Sequence, residues 1–447
     1  MQIHRDITHK LIAWKHSSTR KPLILQGARQ VGKTWILKSF GEQNFPTTVY
    51  FNFEAQPNLK QFFQQTKEPE RIIRDLSLVA GKPIIPNETL IIFDEIQECN
   101  EALNSLKYFQ EEAPAYAVAC AGSLLGVALN RGASFPVGKV NFQTIHPLNF
   151  TEFLSVSNPQ LADYLHQFDF SGSIPDIFFN QLVQQFNLFL ISGGMPEAVV
   201  TLIAEKSIEK TDEVLSGILN AYRLDFSKHT ENHNIQKINH IWESLPSQLA
   251  RENKKFVYRT VKSGARAREY EDALLWLDHA GLIHRIFRNE KPALPITGYD
   301  DLSAFKVYLS DVGLLRRLAG LPASVIIDGS LLYTEFKGSL IENYVLQNIL
   351  PVFDTLPRYW TSGNLAEIDF LVQFNNKIIP IEVKSNENIR SKSLSVYDKQ
   401  YQPSLRIRFS MKNFSFDGNL INIPLFLADK AGEIINRKGL IVSKNSE

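Results

Sequence analysis

An α/β fold built on a mainly parallel sheet is predicted for this chain by three observations. Strand-like apolar runs recur at 22–26 (PLILQ), 47–54 (TTVYFNFE), 89–95 (TLIIFDE) and 115–123 (AYAVACAGS), each followed by helical or loop sequence. Strands that alternate with helices need crossover connections, and those crossovers cover both faces of a parallel sheet. A glycine-bearing turn joins the first run to TWILKSF (34–40), whose apolar spacing suits a helix. Far downstream the pattern returns, with a helix (KGSLIENYVLQNIL, 337–350) leading into the strands AEIDFLVQF (366–374) and KIIPIEVKS (377–385).

Taken in order, residues 1–155 hold the four runs and form the first α/β domain. Residues 156–230 turn helical, as in NQLVQQFNLFLIS (180–192), interrupted by the turn-like GGMPE at 193–197. They are read as a helical lid. Residues 231–330 carry further helices, notably REYEDALLWLDHAGL (268–282), then LIHRIFRN and FKVYLS with strand character around a Pro/Gly-bearing loop. Helices followed by a hairpin suggest a winged-helix-like module. Residues 331–430 form a compact α/β domain, and 431–447 a C-terminal tail whose residues after Arg437 are polar enough to fray.

Composition narrows the function classes. The 447 residues carry a formal net charge of +1, so no overall field draws the chain to nucleic acid or to a membrane, and any basic binding surface must be local. The N-terminus is studded with charge and lacks a secretory apolar core; the longest uncharged stretch, Ala115 to Asn130, falls short of a bilayer span. A cytoplasmic protein without membrane contact is expected. Cys99 and Cys120 have neither CxxC spacing nor a nearby histidine, which argues for two reduced buried thiols rather than a disulfide or a zinc site.

The turn itself carries chemistry. Gly27-Ala28-Arg29-Gln30-Val31-Gly32-Lys33-Thr34 fits GxxxxGK[ST], the phosphate-binding P-loop, and it sits between a buried strand and a helix start. There the backbone N–H groups and the helix dipole converge on phosphate oxygens. Lys33 is assigned to the β- and γ-phosphates of ATP, and the Thr34 hydroxyl to Mg²⁺. Leu90-Ile91-Ile92-Phe93-Asp94-Glu95 runs four apolar residues into two acids, a Walker B strand in which Asp94 holds Mg²⁺ and Glu95 orients or deprotonates the attacking water. Ser123, ending the strand AYAVACAGS, is either a polar sensor of the γ-phosphate or a plain loop serine. Arg131, Lys139 and Arg223 are all conceivable arginine-finger equivalents, and no spacing singles one out.

These residues resemble a known family, the prokaryotic AAA-type ATPases whose C-terminal part is the DUF4143 region. The likeness rests on RKPLILQGARQVGKT (20–34), YFNFE (50–54), IIFDEIQ (91–97), FPVGKVNFQTIHPLNFTEFL (135–154), GGMPEAV (193–199), YLSDVGLL (308–315) and IPIEVKS (379–385). It implies an AAA-like core, a helical lid, a winged-helix-like module and a C-terminal domain similar to restriction-endonuclease-like folds. In nucleases of the PD-(D/E)xK type, a helix acid, a strand acid and an E-x-K on the next strand gather around Mg²⁺. The matching positions here look like Glu342, Asp369, and Glu382 with Lys384. Glu382 and Lys384 are two apart and so face one side of a strand. Carboxylates there would hold the metal, and the lysine would support the nucleophile or the developing charge.

Arg259, Lys262, Arg266, Arg268, Arg285 and Arg288 lie close in the winged-helix candidate and suit nonspecific phosphate contacts, but Glu269, Glu271 and Asp272 in the same stretch equally suit a solvated mixed-charge face. His146, His229 and His233 show no ligand spacing and are read as structural. Two functions follow. In one, ATP turnover controls DNA engagement and Mg²⁺-dependent cutting by the C-terminal site; in the other, the chain is a regulatory ATPase switch whose nuclease-like domain only binds a protein partner or nucleic acid.

Overall fold

The computed structural model describes residues 3–122, 136, 138–228, 232–251, 254–328, 334–363, 365–385 and 392–444. The chain divides into two compact units, one comprising His4–His146 with His279–Leu282, and the other the described residues of 1–3, 147–278 and 283–447.

The first unit is built on five strands, β1 (Leu23–Gln26), β2 (Thr47–Asn52), β3 (Thr89–Asp94), β4 (Ala117–Ala121) and β5 (Asn141–Thr144). Their order is β2-β3-β4-β1-β5, and every pairing is parallel. The four apolar runs of the sequence supply β1 to β4. The fifth strand, NFQT, escapes a hydrophobicity reading because it is an edge strand with an alternating half-exposed pattern. Leu90 to Phe93 and Ala117 to Ala121 have no exposed surface, as expected of central strands covered on both faces. The helices Lys33–Asn44, Pro69–Ala80 and Asn100–Glu112 flank the sheet. Phe93 is the centre of an aromatic cluster with Phe51, Phe53, Phe63 and Phe109, at ring separations of 5.6 to 6.4 Å. Cys99 and Cys120 are both buried free thiols in this core; burial pushes Cys99 up to about 11 and Cys120 well above the usual range. No described helix is long and apolar enough to cross a membrane.

In the second unit, five helices between Phe150 and Lys228 occupy the stretch read as a lid. The first is started by a capping box, the Asn149 side chain accepting from the Glu152 backbone N–H and the Glu152 carboxylate accepting from that of Asn149. The sheet of this unit has eight strands: β6 (Ile283–Asn289), β7 (Asp300–Leu309), β8 (Arg358–Thr361), β9 (Glu367–Phe374), β10 (Lys377–Val383), β11 (Arg406–Ser410), β12 (Ser415–Asp417) and β13 (Leu420–Pro424). They run β12-β13-β11-β10-β9-β8-β6-β7. The β6–β7 hairpin, which the sequence reading placed apart from the C-terminal strands, shares their sheet: Arg288 of β6 pairs in parallel with Tyr359 of β8. In strand register a single paired position joins the two halves, a contact that local patterning has no means to announce.

The helix Thr334–Ile349 is the hub of this unit. Its buried amides close backbone groups that no strand or helix serves: Asn343 exchanges two bonds with Leu309, and Gln347 and Asn348 accept from the N–H groups of Val312 and Phe150. GGMPE and YLSDVG meet beside it. Gly194 N–H donates to Asp311 Oδ2 at 2.6 Å, and Gly193 has φ +65° with Asp311 so close that a Cβ would lie 2.1 Å from its carboxylate. Two of the motifs that carry the family resemblance are therefore an internal fastening.

Candidate functional site

The P-loop lies between β1 and the helix Lys33–Asn44, as its sequence context requires. Gly32 caps that helix at φ 93°, and Gln30 holds φ 65°, so the loop turns twice through the left-handed region before the helix begins. Gly27 has φ 148°, and a side chain there would strike the Ile145 carbonyl at 2.2 Å. The Arg5 guanidinium ties the loop from outside, donating to Val31 O at 3.1 Å and to His146 O at 2.6 Å. The turn His279–Leu282 belongs to this unit, and a Cβ on Gly281 would stand 3.2 Å from Ala28 N.

Lys33 is 7 % exposed and its ammonium donates to the carbonyls of Gly27 at 2.9 Å and Ala28 at 2.7 Å. Burial pulls it down to about 8; Glu95 and Asp94 pull it back up and Arg29 pushes it further down. Thr34 Oγ1 donates to Asp94 Oδ2 at 2.8 Å, joining the two residues assigned to the metal. A hydroxyl and a buried carboxylate held this close are a hard-oxygen donor set of the kind that suits Mg²⁺. Glu95 follows at φ 49°, an uncommon conformation for a non-glycine residue, and accepts from Gln97 Nε2 at 2.6 Å. Ser123 and Arg131 lie outside the described residues.

Tyr50 was not singled out by the sequence reading, yet its hydroxyl donates to the same Asp94 oxygen at 2.7 Å and accepts from Asn52 Nδ2 at 3.2 Å. Burial, followed by the Asp94 bond and nearby acids, pushes Tyr50 up to about 12, and the Lys38 ammonium sits 3.5 Å from its ring centre. The signal was present in YFNFE: β2 pairs with β3 so that Asn52 faces Asp94. Only that register shows which of its side chains reaches the acid.

The second predicted cluster is also assembled within one unit. Glu342 projects from the hub helix, Asp369 from β9 and Glu382 from β10, with Lys384 just beyond. Burial and the negative charge of Glu342 push Asp369 up to about 8, with Glu382 adding to the effect and Lys306 and Lys254 opposing it. Glu342 moves the other way: against its burial, Lys254 and Lys306 hold it below the usual carboxylate range.

These carboxylates already have partners. Lys254 forms an ion pair with Glu342, Tyr308 OH donates to Glu342 Oε2 at 3.1 Å, Val383 N–H donates to Asp369 Oδ2 at 2.7 Å, and Lys384 pairs with Glu382 at 2.5 Å. Lys306 has no exposed surface and pairs with Glu367. Against its burial, Glu367, Glu342 and Asp369, in that order, hold it above the ordinary lysine range. Among the described residues no three His, Cys, Asp or Glu side chains form a group that could hold a metal ion. The expected metal centre at Glu342, Asp369 and Glu382 thus meets an arrangement in which lysines from a distant part of the chain face the acids.

The basic cluster splits in two. Arg285 pairs with Asp278 and Glu271, and Arg288 with Asp301, whereas Arg259, Lys262, Arg266 and Arg268 are exposed. Lys262 also lines a cavity of about 330 Å³ with Lys237, His240, Glu269 and Tyr270.

Three family models match the chain. Residues 19–154 match the model of an AAA domain, 183–325 a domain of unknown function (DUF8612), and 337–426 a second (DUF4143). The chain therefore carries an AAA-type P-loop ATPase-like domain and a DUF4143 domain. Among solved structures it is similar to the Walker-type ATPase PABY2304 of Pyrococcus abyssi, at 15 % identity over 71 % of this chain and 96 % of that one, with a TM-score of 0.44. It also matches the ORC1 protein of Aeropyrum pernix in complex with DNA, at 13 % identity over 73 % and 95 % of the two chains, TM-score 0.28. The RuvB Holliday junction branch migration motor of Thermotoga maritima matches at 13 % identity over 63 % and 90 %, TM-score 0.27. No curated protein matches the chain.

Proposed function

We propose that the protein is a Mg²⁺-dependent ATPase whose nucleotide state governs how its second unit engages nucleic acid. The observation that carries the ATPase reading is the bond from Thr34 to Asp94, formed beside a buried Lys33. Bound Mg²⁺ would supply charge neutralisation on the β- and γ-phosphates, held by Thr34 and Asp94. The chain's own residues do the rest. Residues Gly27 to Thr34 wrap the phosphates with backbone N–H groups, Lys33 exchanges its two carbonyl partners for phosphate oxygens, Tyr50 fixes the orientation of Asp94, and Glu95 takes the proton of the attacking water. ATP supply places this activity in the cytoplasm. Phosphate release measured with and without Mg²⁺ tests the reading; a Lys33→Ala chain that binds and hydrolyses ATP like the parent would sink it.

Nucleic-acid engagement is supported by the exposed set Arg259, Lys262, Arg266 and Arg268 and by the cavity that Lys237 and Lys262 line. For the C-terminal domain, the convergence of Glu342, Asp369, Glu382 and Lys384 supports phosphodiester cleavage, with Lys384 assisting the nucleophile. A specific observation favours the other reading, a non-catalytic platform for nucleic acid or a protein partner: Lys254 pairs with Glu342, and the buried Lys306, paired with Glu367, sets a second positive charge beside Glu342 and Asp369. Incubating labelled DNA and RNA with the parent, Lys33→Ala and Asp369→Ala chains, with and without ATP and Mg²⁺ or Mn²⁺, separates them. Cleavage lost in Asp369→Ala supports the nuclease; intact substrate throughout, with ATP turnover retained, supports the platform.

A further inference from the structure

The acidic cluster of the second unit is unusual in what surrounds it. Four carboxylates, Glu342, Glu367, Asp369 and Glu382, face three ammonium groups, Lys254, Lys306 and Lys384. Two of those lysines, Lys254 and Lys306, come from outside the helix and strands that supply the acids.

Lys306 cannot easily leave. Its backbone is locked in β7, paired on one side to Ile286 of β6 and on the other to Lys255 through an isolated antiparallel bridge. Its ammonium sits 5.0 Å from the centre of the Tyr359 ring and pairs with Glu367, with no surface open to water. The same bridge sets Lys254 beside Lys306 in the chain's path, and Phe256 N–H donating to Phe305 O at 2.8 Å fixes the register. Lys254 then closes on one oxygen of Glu342 while Tyr308, two residues along β7 from Lys306 and so on its face, donates to the other. A divalent ion held by Glu342, Asp369 and Glu382 would have to break the largely buried Lys254–Glu342 pair and sit beside the positive charge of the fully buried Lys306, which Glu367 anchors in place, and that is far costlier than breaking an exposed ion pair.

We infer that Lys306, assisted by Lys254, is a built-in cation of the C-terminal domain: the two ammonium groups neutralise the Glu342–Asp369–Glu382 cluster from within and so exclude Mg²⁺ and Mn²⁺ from it. The inference rests on the platform reading of this domain and adds the device that enforces it. The cluster then acts as a structural electrostatic knot that joins β7 and the residue 254 segment to the hub helix and β9.

The test is Mn²⁺ binding to the full chain, followed by isothermal titration and by Mn²⁺ electron paramagnetic resonance, in an Asp94→Asn background that removes the nucleotide-site ligand. The expected result is no saturable Mn²⁺ binding and a melting temperature insensitive to Mn²⁺ or to a chelator. Lys306→Met should create a site, with a gain in Mn²⁺ affinity of at least about tenfold that Asp369→Asn abolishes. Should Lys306→Met fail to fold, Lys254→Met, whose ammonium is nearer the surface, carries the same expectation. Stoichiometric Mn²⁺ binding by the parent background, lost on Asp369→Asn, overturns the inference. So does the absence of any gain in the folded lysine variants. Metal uptake at this site with both lysines in place, without cleavage of DNA or RNA, would refute the built-in cation while leaving the platform reading standing; cleavage by the parent chain would refute the platform itself.

Discussion

Raising the pH should release ATP from this protein, and Lys33 sets where. Burial pulls its ammonium down to about 8, against the stabilising charges of Glu95 and Asp94. A lysine with that value is about three-quarters protonated near pH 7.5 and about 3 % protonated near pH 9.5, whereas an ordinary lysine would remain about nine-tenths protonated throughout. If the charged form is the one that holds the phosphates, affinity falls by about 25-fold over that interval, or about 2 kcal/mol. The sign for stability is opposite. A lysine whose folded value lies below its unfolded value makes the fold release the proton first, so its contribution to stability grows as pH rises from about 8 toward the ordinary 10.5. Titration with a fluorescent ATP analogue, beside urea unfolding at the same pH values, reads both slopes. A Lys33→Arg chain keeps its charge and should show a flat affinity profile. Unchanged parent affinity up to about pH 9.5, or an equal decline in Lys33→Arg, would refute the reasoning.

Four further expectations follow from particular residues. Glu95→Gln should bind ATP within about threefold of the parent yet lose at least about 100-fold in turnover, because the base is removed and the phosphate cradle is not; comparable losses in both would deny Glu95 that role. Tyr50→Phe removes the 2.7 Å bond to Asp94 and should cost about 1 kcal/mol of Mg²⁺-dependent nucleotide affinity while leaving the Mg²⁺-free affinity unchanged, as read by the same titration. Gly193→Ala sets a Cβ 2.1 Å from Asp311 at a φ of +65° and should lower stability by about 2–4 kcal/mol, seen as a fall in the unfolding midpoint with ATP affinity intact. Asp311 itself is held up to about 6, mainly by burial and against the N–H groups of Gly194 and Leu314. A carboxyl raised above its unfolded value contributes its stability below the ordinary 3.8 and loses it as pH rises to about 6, so Asp311→Asn should flatten a slope worth about 3 kcal/mol across that window. An unchanged slope would mean that Asp311 does not titrate there.

Much of the first unit was legible in the residues because its chemistry is local. A phosphate loop must place Lys33 and Thr34 at fixed offsets from its glycines, and a buried parallel strand must be apolar until it ends, which puts Asp94 and Glu95 at a readable position. The edge strand Asn141–Thr144 and the role of Tyr50 were not legible, since both depend on which strand lies alongside.

The second unit divides differently. Its acids and the E-x-K spacing were visible, being set by one helix and two adjacent strands; what faces them was not. Lys254, Lys306 and Tyr308 stand 34 to 115 residues before the acids they serve, and the β6–β8 pairing that brings β7 into the sheet has a single registered position. GGMPE and YLSDVG could be recognised as motifs, but only the approach of Gly193 to Asp311 shows that they hold the fold together. The sequence by itself determined the phosphate-binding loop, the acids at the end of β3 and the alternation that makes an α/β protein, because each follows from neighbours along the chain. The tertiary structure alone decided the electrostatic partners of the C-terminal acids, because burial and charge act through space, and a buried lysine is cationic or neutral according to what folds against it.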